Sequence, residues 1–320
     1  MRKLLVNIPQ LTPAHRLALS EAAHREGFEA VFRDERADAA KEVADAEILF
    51  GPDQSLLPLA KQLRWLCVPS AGAEQYLDRR QYACPEALLT NSAGAYGVTI
   101  AEHIVMTALM LMRRQMDYEQ VVARRGWRRD LPVRSLHGSR ITLLGTGDIG
   151  RTAAERLRGF GPAGITGVNR SGKAPEGLFD RVVPLEALED VLPQTDLLVL
   201  SLPHTPRTRG LMDRRRLRLL PPEACLVNVG RGSAIDETAL MACLEEGRLW
   251  GAALDVFGEE PLPEDSPLWT CPRLLITPHV AGNMTLAYTL DRIVEQFLEN
   301  FALYCRGLPL KRMVESEKGY

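Results

Sequence analysis

The chain has no long hydrophobic run. Its most apolar stretch, residues 104–112, is about half the length of a bilayer span and is bracketed by Glu102 and Arg113, so it reads as a buried helix and no membrane association is expected. Neither charge is in excess. A formal net charge of -2 gives no broad basic field for nucleic acid or an anionic membrane, so neither is an expected partner and an anionic ligand must be met by local residues. The six cysteines, Cys67, Cys84, Cys225, Cys243, Cys271 and Cys305, form no Cys-x-x-Cys pair and read as reduced thiols of a cytoplasmic protein. There is no His-x-x-x-His pair and no cysteine cluster, so no metal is expected. The apolar start, residues 4–8, is too short for the core of a secretory signal and is stopped by Pro9; it reads as a first strand.

What is present is an alternation of strand and helix patterns, with no internal repeat. The 320 residues, 46% hydrophobic and 25% charged, suit a globular protein of two domains. Short apolar runs at 4–8, 29–32, 47–50 and 63–68, with an amphipathic stretch at 13–26, predict a parallel sheet flanked by helices. A helix is expected from residue 99 to about 117, apolar nearly all round and so packed between surfaces. An irregular, arginine- and tryptophan-rich surface connection follows over 121–137. Strands are then expected at 141–144, 165–169, 196–200, 225–229, 250–255 and 274–277, six in all, enough for a complete doubly wound sheet. The last element is an amphipathic helix over about 286–305, expected to return to the strand-poor first block.

A phosphate-binding turn opens the second alternation. The strand pattern at Arg140-Ile141-Thr142-Leu143-Leu144 runs into Gly145-Thr146-Gly147-Asp148-Ile149-Gly150 and then into a helical stretch. In such a turn the first glycine permits the tight bend, the second lets backbone approach a pyrophosphate, and the third allows helix to pack on strand. The following strand ends Asn169-Arg170-Ser171-Gly172-Lys173, with no aspartate or glutamate to accept both ribose hydroxyls. Asn169, Arg170, Ser171 and Lys173 offer hydrogen bonds and positive charge to a 2′-phosphate, so NADP is the expected cofactor. NAD stays open if Arg170 and Lys173 are only solvated loop charges.

Three later segments put chemistry at successive strand ends: Val227-Asn228-Val229-Gly230-Arg231-Gly232, Leu254-Asp255-Val256-Phe257-Gly258-Glu259-Glu260-Pro261 and Thr277-Pro278-His279-Val280-Ala281-Gly282. An open α/β sheet collects its ligands there. An arginine clamps a carboxylate through two parallel hydrogen bonds, and a histidine held by a glutamate exchanges a proton near neutral pH. The combination suits a 2-oxo or 2-hydroxy acid.

These segments, with Gly145 to Gly150, Leu202-Pro203-His204-Thr205-Pro206-Arg207-Thr208, Val68-Pro69-Ser70-Ala71-Gly72-Ala73, Asn91-Ser92-Ala93-Gly94 and Ile100-Ala101-Glu102-His103, resemble the D-isomer-specific 2-hydroxyacid dehydrogenases in order and over nearly the whole chain. The resemblance implies an α/β fold of two doubly wound Rossmann-like domains, the cofactor domain (99–283) inserted into a discontinuous substrate domain (1–98 and 284–320), with the active site in the cleft between them. It implies Arg231, Glu260 and His279 as catalytic residues: Arg231 on the substrate carboxylate, His279 as acid/base and Glu260 as its partner. Ser70, Ala71 and Gly72 would also meet the substrate. Thr99, Gly145, Gly147, Asp148, Ile149, Gly150, Asn169, Arg170, Ser171, Lys173, Pro203, Thr208, Val229, Gly230, Asp255, His279 and Gly282 would lie along the cofactor, with His204 at its rim. Family members are commonly homodimers through the cofactor domain.

The leading expectation is reduction of a small 2-oxo acid of glyoxylate or hydroxypyruvate type. The rivals are an NAD-dependent 3-phosphoglycerate dehydrogenase and, from another class, a cofactor-sensing corepressor-like binding module. Phe50, Gly51, Pro52, Met284 and Tyr288 are expected as substrate-pocket walls, and His103 as a packed residue.

Overall fold

A computed structural model describes residues 1–173 and 177–314. The chain begins with β1 (Arg2–Val6), α1 (Pro13–Arg25), β2 (Phe28–Phe32), α2 (Arg36–Glu42), β3 (Ile48–Phe50), β4 (Trp65–Cys67) and β5 (Leu88–Thr90). Next come α3 (Gly97–Met112), α4 (Gln115–Ala123), β6 (Arg140–Leu144), α5 (Asp148–Arg158), β7 (Gly164–Asn169), β8 (Arg181–Pro184) and α6 (Leu188–Val191). After these follow β9 (Leu197–Leu200), α7 (Arg214–Leu217), β10 (Cys225–Asn228), α8 (Glu237–Glu245), β11 (Gly251–Leu254), β12 (Leu274–Ile276) and α9 (Ala287–Cys305).

The chain divides into two units, Met1–Tyr96 with Asn283–Tyr320, and Gly97–Gly282. Gly97 and Val98, assigned above to the first block, fall in the second because they form the first turn of α3, while Asn283 falls in the first.

The first unit is a five-stranded parallel sheet in the order β2-β1-β3-β4-β5. Its core includes a layer of aromatics contributed from both ends of the unit's sequence. Phe297 of α9 stacks on Phe50 (centroids 4.1 Å apart, planes at 7°) and on Trp65 (5.2 Å, 7°), and Trp65 Nε1 donates to Thr90 Oγ1 at 2.9 Å. The expectation that Phe50 walls a pocket is therefore wrong. Phe50 is fully buried because its strand is covered by α9 on the face its side chain occupies. After α9, Asn300 closes a reciprocal pair with Lys311 (Nδ2 to O, 2.9 Å; N to Oδ1, 2.8 Å), and Val314 N donates to Leu89 O at 2.9 Å.

The second unit holds seven parallel strands, not six, in the order β12-β11-β10-β9-β6-β7-β8. The seventh, β8, reads Arg-Val-Val-Pro with only Val183 buried; as an edge strand it has one neighbour, and there a proline costs no ladder bond. The strand order reverses between β6 and β9, the topological switch point. All seven strands run the same way, so their C-terminal loops emerge along one edge. The expected single helix over 99–117 is two helices, separated where Arg114 takes a left-handed φ of 58° and then caps α4. The irregular stretch consequently starts only after Ala123.

The sandwich of Phe297 between Phe50 and Trp65 yields a prediction. Phe297→Ala should destabilise the first unit by about 3–5 kcal/mol, measured as an earlier transition in chemical denaturation followed by circular dichroism. A change under about 1 kcal/mol would contradict the role given to this layer.

Candidate active site

Two of the three glycines of the turn are required by the fold itself. Gly145 has φ +103°, and a Cβ there would lie 2.7 Å from Ser201 Oγ; a Cβ on Gly150 would lie 2.0 Å from Gly145 O. A Cβ on Gly147 would have nothing within 4 Å, so this glycine faces open space. Gly147 is also the N-cap of α5 and offers no side-chain acceptor, so the start of this helix presents the amides of Ile149 and Gly150 to an anion. Asp148 is turned elsewhere: a Cβ on Gly97 would lie 2.6 Å from Asp148 Oδ2, so the carboxylate sits against the start of α3.

At the end of β7, Asn169 spends its whole amide on its own loop and on the neighbouring glycine turn. Its Nδ2 donates to Thr146 Oγ1 (2.6 Å) and Lys173 O (2.7 Å), while its Oδ1 accepts from Ser171 N (3.0 Å) and Gly172 N (2.7 Å). Ser171 Oγ donates to the same Oδ1 and accepts from Lys173 N at 3.3 Å. Arg170 and Lys173 are exposed, and among the described residues neither side chain has an acidic partner. Thr208 likewise serves its own loop, donating to Pro203 O at 2.7 Å and accepting from Thr205 N at 2.9 Å. His204 Nδ1 is 2.7 Å from Ser233 Oγ.

The ends of β10, β11 and β12 are joined side by side. Asp255 N donates to Asn228 O (3.0 Å) and Thr277 N to Leu254 O (3.0 Å). The loop carrying Arg231 is shaped by buried Asn228, whose Nδ2 donates to Arg231 O (3.0 Å) and whose Oδ1 accepts from Gly230 N (3.1 Å). Val229 N donates to Leu200 O at 3.0 Å, and Arg231 Nη1 to Gly230 O at 2.8 Å. Gly230 and Gly232 press on neighbouring backbone: their Cβ atoms would lie 2.7 Å from Leu202 N and 1.9 Å from Phe257 C. The Arg231 loop thus rests on the loop that carries Glu260.

Asp255 organises the histidine segment. Only 2% exposed, its Oδ1 accepts from Thr277 Oγ1 (2.6 Å) and Val280 N (2.9 Å), its Oδ2 from Ala281 N (3.0 Å), and its carbonyl from His279 N (2.8 Å). These bonds hold His279 at a left-handed φ of 53°, a conformation that costs a non-glycine residue on the order of 1–3 kcal/mol. His279 Nδ1 then meets Glu260 Oε2 at 2.7 Å, while Glu260 Oε1 accepts from Phe257 N at 2.9 Å. The carboxylate accepts from Nδ1–H, so Nε2 is the nitrogen left for proton exchange, and the ring is 53% exposed and reachable. Thr99 Oγ1 reaches Ala281 O at 3.3 Å, tying the start of α3 to the same segment that ends in Gly282.

Sequence reasoning missed Thr277, which carries no motif of its own. It also left His103 without a partner. The ring is packed 3.2 Å from Thr277 Oγ1 and 3.9 Å from Asp255 Oδ1, and burial pushes its pKa below the usual range against the pull of Asp255. The thiols of Cys67 and Cys225 are pushed up to about 12 by burial, which removes both as nucleophiles at neutral pH. Among the described residues no three His, Cys, Asp or Glu side chains gather as a metal site, and no helix is long and apolar enough to cross a membrane.

In the first unit, the loop of Ser70, Ala71 and Gly72 has all three carbonyls engaged, by Ser92 N (2.9 Å), Asn91 Nδ2 (2.7 Å) and Ser70 Oγ (2.6 Å) respectively. The amides of Ala71 and Gly72 donate to no acceptor among the described residues. Of the expected pocket walls, Gly51 is buried with a Cβ position 2.9 Å from Asn7 O, whereas Pro52 and Tyr288 are exposed and Met284 is half-buried.

A doubly wound sheet with an open glycine turn at its switch point, and a carboxylate-held histidine at the strand ends on one side of it, defines a class: the dinucleotide-dependent α/β oxidoreductases. Residues 105–281 match the model of the D-isomer specific 2-hydroxyacid dehydrogenase, NAD binding domain. Over 283 residues the chain is 31% identical to glyoxylate/hydroxypyruvate reductase A of Salmonella paratyphi C (strain RKS4594), an alignment spanning 87% of this chain and 88% of that protein. Its fold superposes on a D-isomer specific 2-hydroxyacid dehydrogenase family protein from Aeromonas salmonicida with a TM-score of 0.87 at 36% identity, covering 98% of this chain and 99% of the other. An NADPH-dependent glyoxylate/hydroxypyruvate reductase from Sinorhizobium meliloti, solved with NADP and sulfate, gives a TM-score of 0.82 at 26% identity over 100% of both chains. The chain belongs to the D-isomer specific 2-hydroxyacid dehydrogenase family, whose members are NAD(P)-dependent oxidoreductases.

The Asp255 network predicts the effect of removing it. Asp255→Ala would take the acceptor from the buried Ala281 amide, at about 1–3 kcal/mol, remove the bonds to Val280 N and Thr277 Oγ1, and release His279 from its turn. Chemical denaturation should show a loss of at least about 2 kcal/mol; a variant as stable as the parent would contradict this account of the loop.

Proposed function

We propose that this protein reduces a small 2-oxo acid of the glyoxylate or hydroxypyruvate type to its 2-hydroxy acid, with NADPH as the preferred cofactor and NADH possible. The observation that carries the reading is the 2.7 Å contact of His279 Nδ1 with Glu260 Oε2, at a strand end beside the Arg231 loop. When bound, the dinucleotide supplies the hydride. The protein's own residues do the rest.

The turn fits a dinucleotide. Gly147 leaves open space where backbone amides at the start of α5 would meet the pyrophosphate. Arg170 and Lys173, held on a loop braced by Asn169, would meet a 2′-phosphate, and no carboxylate stands at the end of β7 to repel it. This favours NADP and counts against an NAD-dependent 3-phosphoglycerate dehydrogenase. The Sinorhizobium meliloti protein bound to NADP supports the same choice. Thr99, Pro203, Thr208, Val229, Gly230, Asp255 and Gly282 are proposed along the remainder of the cofactor.

Arg231 is proposed to grip the substrate carboxylate through two N–H groups, a fork that lysine cannot supply. His279 Nε2 delivers its proton to the 2-oxo oxygen as negative charge develops there, and takes it back in the reverse direction. Glu260 keeps the ring oriented and stabilises the imidazolium before transfer. In the first unit, the unengaged amides of Ala71 and Gly72, braced by Ser70, are proposed as a carboxylate contact. An intact proton-transfer pair favours catalysis over a pure cofactor-sensing role. We further propose a cytoplasmic homodimer. The six free cysteines and the exposed Val122 and Trp127 support this, and light scattering should report twice the monomer mass.

Oxidation of NADPH and NADH by a panel of 2-oxo acids tests cofactor and substrate together. Glyoxylate or hydroxypyruvate with NADPH should turn over fastest; no oxidation with any 2-oxo acid would overturn the reading. His279→Ala should lose about 10²–10⁴-fold in kcat while keeping its affinity for NADPH. Arg170→Ala should weaken NADPH binding by about tenfold and leave NADH binding unchanged, since a charge-assisted bond to phosphate contributes about 1.5–3 kcal/mol. Equal effects on the two cofactors would remove the 2′-phosphate assignment.

A further inference from the structure

Between Arg231 and His279 lies a turn gripped by two carboxylates on successive amides. Glu260 Oε1 takes Phe257 N at 2.9 Å, and Glu237 Oε1 takes Gly258 N at 2.7 Å. Glu237 opens α8, but it does not cap that helix. The capping bond belongs to Asp236, whose side chain accepts from Ala239 N at 3.0 Å. The glutamate is instead turned across to the neighbouring loop, where its Oε2 would stand 3.4 Å from a Cβ on Gly258.

The opposite side of the same turn is fixed by Gly232, pressed against the Phe257 backbone. A continuous path therefore runs from α8 through Glu237 to Gly258 and Phe257, then through Glu260 to the imidazole of His279. A turn closed on itself through Glu260 and bound from α8 through Glu237 has little freedom to shift, and the carboxylate it carries must stay within hydrogen-bond reach of Nδ1.

We infer that Glu237 is a positioning residue for the acid/base pair, holding the Phe257-Gly258-Glu259-Glu260 turn so that Glu260 stays on His279 Nδ1. The inference rests on the reading of His279 as the acid/base. What Glu237 contributes is an acceptor at a fixed reach, not its charge. Burial first, and then the nearby charge of Glu260, push its carboxyl above the usual range, while the Gly258 amide pulls it back. The Gly258 amide needs only one acceptor at that reach, so a neutral acceptor of the same length should serve as well.

Three substitutions separate reach from charge. Glu237→Ala removes the acceptor, Glu237→Asp keeps the charge but withdraws the carboxylate by one methylene, and Glu237→Gln keeps acceptor and length without the charge. With glyoxylate and NADPH, Glu237→Ala and Glu237→Asp should each lose about tenfold or more in kcat with KM for NADPH unchanged, since small misplacement of a catalytic group is costly. Glu237→Gln should stay within about twofold of the parent. Because the residue acts through Glu260, Glu237→Asp placed on a Glu260→Ala background should cost nothing further, a coupling read from the double-mutant cycle. Aspartate is well accepted in the first turn of a helix, so this variant carries the test even if the alanine variant fails to fold. The inference is overturned if Glu237→Asp matches the parent while Glu260→Ala is impaired, if the two losses multiply, or if Glu237→Gln is as impaired as Glu237→Asp. Full activity in Glu260→Ala and His279→Ala would instead overturn the acid/base reading itself.

Discussion

The buried carboxylate of Asp255 is the constraint on which the candidate site depends. Taking an ionised group out of water is costly unless donors replace the solvent. Here Thr277 Oγ1, Val280 N and Ala281 N do so, at 2.6, 2.9 and 3.0 Å. Those donors come from the segment that contains His279, so satisfying Asp255 and shaping the histidine turn are one event. The left-handed φ of 53° at His279 is sustained by these bonds and by the amide bond to Asp255 O. The orientation of the imidazole thus follows from the electrostatics of a neighbouring strand end.

The parallel sheet supplies the setting. Since β10, β11 and β12 run the same way and are adjacent, the loops with Arg231, Glu260 and His279 leave the sheet at one edge without any long connection. Gly230 and Gly232 then allow backbone to lie against backbone, a closeness that any side chain would prevent. Across the switch point, Gly147 leaves room for a ligand where Gly145 and Gly150 leave none. One edge of one sheet thereby carries both the glycine turn and the His279–Glu260 pair, the groups proposed to meet the dinucleotide and to transfer the proton.

Much of this was legible in the sequence because it rests on local patterns. The glycine spacing at 145, 147 and 150 and the apolar runs of the central strands stand out without any partner. The edge strands β5 and β8 did not. Three or four residues are too few to make a period, and it is the pairing to β4 and β7 that makes them strands. Phe50 was misread because an aromatic at a strand end looks alike whether it faces a ligand or α9. The polar network was the least visible part. Asn169 offers the same amide whether it binds a ribose or its own loop, and Thr277 and Glu237 gain their roles only when strands distant in sequence become neighbours.

The account's central claim is that Asp255 and Glu260 present His279 Nε2 to a 2-oxo acid whose carboxylate is held by Arg231. The most direct measurement is a crystal structure with NADPH and oxamate, a non-reducible analogue of such an acid. The account predicts the oxamate carboxylate bonded to the Arg231 guanidinium and its 2-oxo oxygen bonded to His279 Nε2. Oxamate held away from both side chains, or the His279–Glu260 contact broken in the complex, would contradict it.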